Sequence, residues 1–253
     1  MTHMAPHLPA LTFHSLDRKP SGTSFAPELF NLLLQNLYKS GYTTIYLEEL
    51  VTCLRNKKEF PDKSLLITFD DGCHSIFEQG FPVLQRFNMT AIVFLTVNYN
   101  KTKPLSGRLP TIEGRTMLTW SHIKEMHKYG IEFGAHTLTH RDLTRLPQSE
   151  IEEEILKSKS IIEDALGTEV LCFAYPFGKI NDASYEIVRE NFSSAFTDRL
   201  GLITTNSPRH ALNRVDAYYL HSERLCSILP SSLFPWYVKV LSVPRKLKRM
   251  VLS

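Results

Sequence analysis

Hydrophobic positions along the chain recur with two periods, two and 3.6 residues, and the periods alternate. Ala10-Leu-Thr-Phe-His14 reads as a short strand. Leu29, Leu32, Leu33, Leu37 and Tyr38 then form an apolar stripe on a helix opened by Pro27 and closed at Gly41. Residues 43–47 predict a second strand and 48–55 a short helix. Ser64-Leu-Leu-Ile-Thr-Phe-Asp70 is a continuous apolar run that ends in acids, the pattern of a strand buried on both faces. Helical spacing over 76–87 is punctuated by Gly80 and Pro82, and a strand follows over 91–96. The polar stretch 98–118, bearing Gly and Pro, reads as a loop at one end of the sheet. Beyond it come a helix over 121–129, a strand over 131–135, a long charged helix over about 149–166, a strand over 170–175, a helix over 182–191 and a strand over 194–197.

Repeated strand-then-helix units imply parallel strands. About seven of them fit an α/β fold closed into a (β/α) barrel better than an open sheet. A length of 253 residues suits one such unit. In these folds the chemistry collects at the carboxyl ends of the strands.

Composition excludes several classes. An apolar fraction of 43% and a charged fraction of 22% belong to a globular chain, and eleven Gly and fourteen Pro without a period exclude collagen-like sequence. A net charge of +3 is too small to point to nucleic acid. That charge is unevenly placed, however. After Cys226 there is no acidic residue, yet Lys239, Arg245, Lys246, Lys248 and Arg249 are there, so the remainder is slightly acidic. The strongest apolar run, 91–97, is far short of the roughly 20 residues of a membrane span, and no secretory signal is expected, since the first Lys or Arg is Arg18 and Pro6, Pro9, His3, His7 and His14 interrupt any apolar core. Cys53, Cys73, Cys172 and Cys226 form no CxxC pair and read as reduced, buried thiols. Cytoplasm, with the inner membrane face as a variant, is the expected location.

Three segments at strand ends carry the candidate chemistry. Asp70 and Asp71, in Thr68-Phe-Asp-Asp-Gly72, close a hydrophobic strand where desolvation and mutual repulsion both oppose ionisation. A bound divalent cation compensates such a pair, while a helix N-cap near His74 is the structural alternative. His136 and His140 are spaced as on one helical turn, as in many zinc sites. Two imidazoles and one carboxylate make a three-ligand site with open positions, leaving the second Asp free to take a proton. Phe173-Ala-Tyr-Pro-Phe-Gly178 places aromatic rings around a turn, suited either to a sugar face or to covering the core.

In this order, Thr68–Gly72, His136–His140 and Phe173–Gly178 resemble the successive motifs of the polysaccharide deacetylase family, the NodB-homology or carbohydrate esterase family 4 domain. The resemblance runs from about residue 10 to about residue 216. It implies a distorted (β/α) barrel that hydrolyses N-acetyl groups on amino sugars. By the family's pattern Asp70 is the general base, and Asp71, His136 and His140 hold one divalent ion. Zinc is the first expectation, and Co, Ni or Mn also suit the ligand types. Tyr175, Pro176, Phe177 and Gly178 become substrate contacts, with a backbone N–H near Tyr175 for the oxyanion.

Two departures stand out. Many members carry an Arg where this chain has Ala174; here the third motif resembles that of a subgroup lacking it, and Arg214 matches a later Arg-bearing motif. Arg214 is therefore expected to pair with Asp70 or Asp216. The usual late Leu-x-His acid is also absent; the resemblance to the same subgroup, which has an early His at the end of the first strand, implies His14 as the leaving-group acid, with His221 second and His74 expected near the site. The expected partner is an N-acetylated glycan: a polysaccharide, an oligosaccharide or a lipid-linked repeat unit. Peptidoglycan or chitin fragments and a non-catalytic carbohydrate-binding relic are the alternatives. The catalytic domain is expected over 1–225. Residues 226–253 are expected to form a basic, amphipathic segment, either packed on the barrel or resting on an anionic membrane.

Overall fold

The computed structural model describes residues 7–19, 21–97 and 114–252, with side chains described through Val243. Most of the expected loop over 98–118 lies outside the described residues. Seven parallel strands form the barrel: β1 (Ala10–Phe13), β2 (Ser64–Phe69), β3 (Ile92–Leu95), β4 (Glu132–Ala135), β5 (Cys172–Ala174), β6 (Ser194–Leu200) and β7 (Leu212–Asp216). Their order is β1-β7-β6-β5-β4-β3-β2. The circle closes where β2 meets β1, with Ala10 opposite Leu66 and Phe13 opposite Phe69. Helices α1 (Pro27–Lys39), α2 (Leu47–Asn56), α3 (Phe81–Arg86), α4 (Trp120–Lys128), α5 (Gln148–Leu166), α6 (Asp182–Asn191), α7 (Glu223–Ile228) and α8 (Phe234–Leu252) complete the fold.

Seven staves were expected, but one of them is a different segment. Thr43–Thr44 pairs only with Ser64–Leu65, at the foot of β2, while β3 borders β2 higher up, from Thr68. It stays a two-residue strand outside the circle. The seventh stave is Leu212–Asp216, whose apolar pattern is broken by the charges of Arg214 and Asp216. The expected break at Gly80 and Pro82 is also replaced. A π turn over Ile76–Gly80 runs straight into α3, whose first turn holds Pro82, where a missing N–H costs no hydrogen bond.

Burial on both faces divides the strand residues between two cores. Leu11, Phe13, Ile67, Phe69, Val93, Leu95, Phe173 and Val215 pack outward against the helices. Ala10, Leu66, Ile92, Phe94, Cys172, Ala174, Phe196 and Leu212 fill the interior. This is the two-residue alternation of a strand. A buried Phe such as Phe94 contributes about 1.5–3 kcal/mol. Gly134 shares the interior register because a Cβ there would sit 2.5 Å from the Phe94 ring and 2.8 Å from Cys172 Sγ.

The amino-terminal end of the barrel is closed by α2, whose Leu47, Leu50, Val51 and Leu54 join the interior core. α7 and α8 pack outside, with Cys226, Leu229, Phe234 and Val238 buried in the outer core. The division expected after residue 225 thus falls within α7.

Glu132, at the foot of β4, accepts the first N–H of α2, from Leu47, at 3.0 Å. Burial pushes its carboxyl up to about 7, with the Leu47 bond acting against the rise and Glu48 adding to it. The folded chain therefore holds a proton that the unfolded chain releases near pH ~4.3, and stability falls as pH rises from there to about 7. The decline amounts to at most about 4 kcal/mol. Glu132→Gln keeps an acceptor for Leu47. It is expected to abolish this decline and to be the more stable protein at about pH 8, as read from urea unfolding across pH.

Candidate active site and metal centre

The interior register carries the chemistry past the carboxyl ends of the staves. His14 follows Thr12, Asp70 follows Thr68, His136 follows Gly134, and Arg214 and Asp216 follow Leu212, each at a spacing of two. With Asp71, His140 and Phe177 they line one cavity of about 450 Å³.

Arg214 lies across this mouth. Its Nη1 and Nη2 donate to the two carboxylate oxygens of Asp70, each at 2.7 Å. Nε donates to the Thr197 carbonyl at 2.9 Å, and Nη1 also reaches Thr68 Oγ1 at 3.2 Å. Both charges are buried, so each depends on the other. Burial by itself raises the Asp70 carboxyl; the charge of Arg214, then His136, the Arg214 hydrogen bonds and His14 outweigh it and hold the group well below the usual carboxylate range. Of the two partners expected for Arg214, the pairing is with Asp70. Asp216 instead accepts the Tyr218 N–H at 2.8 Å, and burial raises its carboxyl.

Asp71 faces a different set of groups. Left-handed backbone at Asp71 (φ 71°) and Gly72 (φ 86°) turns the chain sharply, so neighbouring carboxylates reach the same cavity. Neither acid caps a helix. Asp71 Oδ1 lies 3.7 Å from His136 Nε2 and 3.4 Å from His140 Nε2, and the three ligand atoms lie within 4.8 Å of one another. His136 Nδ1 donates to the Ala174 carbonyl at 2.7 Å, since that oxygen can only accept. Burial holds the His136 imidazole down to about 4. A neutral ring bonded this way turns its Nε2 lone pair toward Asp71 Oδ1, itself buried and without a hydrogen-bond partner. Lone pairs facing one another in a dry pocket fit a divalent cation.

The histidine pair is not on a helical turn, as its spacing suggests. It sits in a loop with left-handed Thr137 (φ 68°) and His140 (φ 57°), closed by the His140 N–H on Thr137 Oγ1 at 3.0 Å. That loop brings the two rings to 4.9 Å, edge to face. Glu154 of α5 holds it: its carboxylate accepts the Thr139 N–H at 2.9 Å and the Thr139 hydroxyl, and its backbone carbonyl accepts from Leu138. In the sequence Glu154 is one acid among several on a charged helix and gives no signal.

The third segment divides its roles. Tyr175 lines the cavity, yet it is 1% exposed, packs against Phe173 and donates its hydroxyl to the His210 carbonyl, so its ring is anchored in the core. Its amide donates to the Phe196 carbonyl at 3.0 Å and is not free for an oxyanion; as Pro176 has no N–H, the next amide is that of Phe177. Pro176 is buried outside the cavity lining. Phe177 is 54% exposed, with its ring 4.8 Å from His140. Gly178 is required where it stands, for a Cβ would meet Asp198 Oδ1 at 2.0 Å.

Among the candidate acids, His14 lines the cavity with Nε2 4.0 Å from Asp70 Oδ2. His221 is exposed, bonded to the Tyr218 carbonyl and outside the lining. His74 is also outside it, paired with Glu78 and stacked on His122. Thr23 and Asp198 line the cavity without having stood out in the sequence.

Comparison with known proteins agrees with this geometry. The family profile described as polysaccharide deacetylase matches residues 57–191, more than half of the chain. The chain belongs to the polysaccharide deacetylase family. A Bacillus subtilis protein whose name places it in that family, YxkH, is 27% identical over 240 residues, 94% of this chain and 78% of its own length. The poly-beta-1,6-N-acetyl-D-glucosamine N-deacetylase of Staphylococcus epidermidis is 25% identical over 174 residues; the match spans 64% of this chain and 57% of that enzyme. Among solved structures, IcaB from Ammonifex degensii superposes with a TM-score of 0.72 at 25% identity, covering 88% of this chain and 98% of that one. The Streptococcus pyogenes deacetylase PplD in complex with acetate shares the fold, with a TM-score of 0.74 at 24% identity over 84% of this chain and 93% of its own.

The Asp70–Arg214 pair makes a stability prediction for this polysaccharide deacetylase. Arg214→Ala leaves a buried carboxylate without its partner and is expected to cost about 3–5 kcal/mol. Adding Asp70→Asn is expected to recover a large part of that loss. Urea unfolding of both single variants and the double variant at neutral pH measures the coupling.

Proposed function

We propose that this deacetylase removes N-acetyl groups from an amino-sugar glycan with the help of one divalent metal ion, zinc being the best fit to the ligand set. The observation that carries the reading is the juxtaposition of two differently compensated carboxylates: Asp70 paired to Arg214, and Asp71 facing His136 and His140 with an unpartnered oxygen. Asp71, His136 and His140 would hold the ion. There it would acidify a water and polarise the acyl carbonyl.

The remaining work falls to this chain's own residues. Asp70, kept ionised by Arg214, accepts the proton of the attacking water. The bidentate contact fixes the carboxylate plane, so the free lone pairs point in a set direction. His14 supplies a proton to the departing amine, without which the tetrahedral species reverts to amide. At 4.0 Å from Asp70 it lies close enough for the two transfers to share one small volume. The amide of Phe177 is the donor that remains for the oxyanion, and the exposed Phe177 ring offers a sugar a stacking face at the rim. The staphylococcal relatives, named as poly-beta-1,6-N-acetyl-D-glucosamine N-deacetylases, support a polymer of N-acetylglucosamine as the substrate class.

Acetate release from N-acetylglucosamine oligomers, measured on metal-stripped protein and after adding back zinc, cobalt, nickel or manganese, tests the reading. Activity is expected only with metal. Asp70→Asn should bind the ion as the parent does and lose about 10²–10⁴-fold in turnover, whereas Asp71→Asn should lose the ion itself. His14→Ala should retain metal and lose turnover, and loss of metal in that variant would remove its assignment as acid. Metal-loaded protein that releases no acetate from any such oligomer would overturn the function.

A further inference from the structure

Among the described residues, one face of α8 packs against the outer core. Phe234 and Val238 are buried in the outer core, and Leu241 packs against it. On the opposite side Leu233, Trp236, Val240 and Val243 are 63, 64, 46 and 49% exposed. Their spacing of three, four and three residues sets them in one stripe, from Leu233 just before α8 along the helix itself. In the sequence Leu247 and Met250 continue the spacing, although their side chains lie outside the described residues. Cations accompany the stripe: Lys239 is exposed beside it, and the chain after Cys226 carries five Lys and Arg and no acid.

The same helix borders the approach to the catalytic cavity. Pro235, Val238 and Lys239 line a groove of about 1180 Å³ that continues past Phe177, Gly178 and Asp198 into the cavity holding Asp70 and Asp71.

We propose that the exposed face of α8 docks this protein on an anionic membrane surface. An apolar stripe with a tryptophan, on a chain segment whose charged residues are all basic, matches a bilayer whose headgroups are negative and whose acyl boundary lies just beneath. No helix among the described residues is long and apolar enough to cross a membrane, so α8 lies along the surface. A second copy of the chain fits less well, because a symmetric contact across the stripe would bring the same cations face to face. Docked in this way, the groove opens beside the lipid and favours a glycan held at or delivered from the membrane. That consequence for substrate rests on the deacetylase reading, and the docking itself does not.

Co-sedimentation with vesicles tests the docking. The full chain is expected to pellet with phosphatidylcholine vesicles containing about one-third phosphatidylglycerol, to stay in solution with phosphatidylcholine alone, and to be released by high salt. Trp236→Ser combined with Val240→Ser changes only exposed side chains and should lower the bound fraction at least about tenfold. Acetate release from a soluble oligomer should be the same in parent and double variant. Equal pelleting of parent and double variant, or no pelleting of either, overturns the proposal. So does a concentration-dependent dimer that the double variant dissolves, since the stripe is then a contact between copies. Sedimentation requires neither metal nor turnover, so its result stands whether or not acetate is released.

Discussion

Closure of a parallel barrel obliges every second residue of each stave to point inward, and the site is a consequence of that register. Inside the barrel the inward positions are apolar: Leu66, Ile92, Phe94, Cys172, Phe196 and Leu212. At the mouth the same positions become His14, Asp70, His136, Arg214 and Asp216. Separate segments of chain, far apart in sequence, thus deliver ionisable groups to one point without any long side chain having to bend back. α2 closes the other end, so the low-dielectric interior begins directly below the charges. That is where electrostatic pairing is strongest and unpaired charge most costly.

Two adjacent aspartates can share such a place only if each is compensated independently. Asp70 has a permanent partner in the Arg214 guanidinium, so its ionised state is built into the fold. Asp71 has no such permanent partner: its buried Oδ1 accepts no hydrogen bond, the neutral His136 ring turns a lone pair toward it, and His140 Nε2 lies 3.4 Å away. The left-handed turn at Asp71 and Gly72 is what separates the two carboxylates into these environments. A helical or extended backbone there would have placed them on opposite faces or beside the same partner. The different environments of the two carboxylates are therefore a matter of backbone conformation as much as of residue type.

Much of this was legible in the sequence, for a physical reason. Strands buried on both faces show as unbroken apolar runs, and acids or histidines ending such runs are improbable without a use, so Asp70, Asp71, His136 and His140 stood out. Leu212–Asp216 did not read as a stave, because its inward residues are the charged Arg214 and Asp216, which erase the apolar signal. Thr43–Thr44 read as one because its composition suits a strand, while only pairing geometry reveals that β3 takes its place beside β2. The bonds from Glu154 to the 137–139 loop, and the burial of Tyr175, depend on long-range contacts that local pattern does not carry. The spacing of His136 and His140 suggested the right partners through the wrong conformation: two left-handed residues, rather than a helix, bring the rings together.

The register also explains how an arginine can change strands without changing its task. The resemblance to the family implies an Arg at the place held here by Ala174, and that place lies on β5 in the inward register. Arg214 lies on β7, also inward, and reaches Asp70 across the mouth with both terminal nitrogens. An inward residue of β5 and one of β7 face the same barrel interior. What the barrel requires is one inward cation opposite Asp70, not a particular motif to supply it. Having the cation on β7 leaves residue 174 small, and its carbonyl is the group that orients His136. Asp70 and the His136 imidazole are thus held by two different staves, so a change in one need not disturb the other.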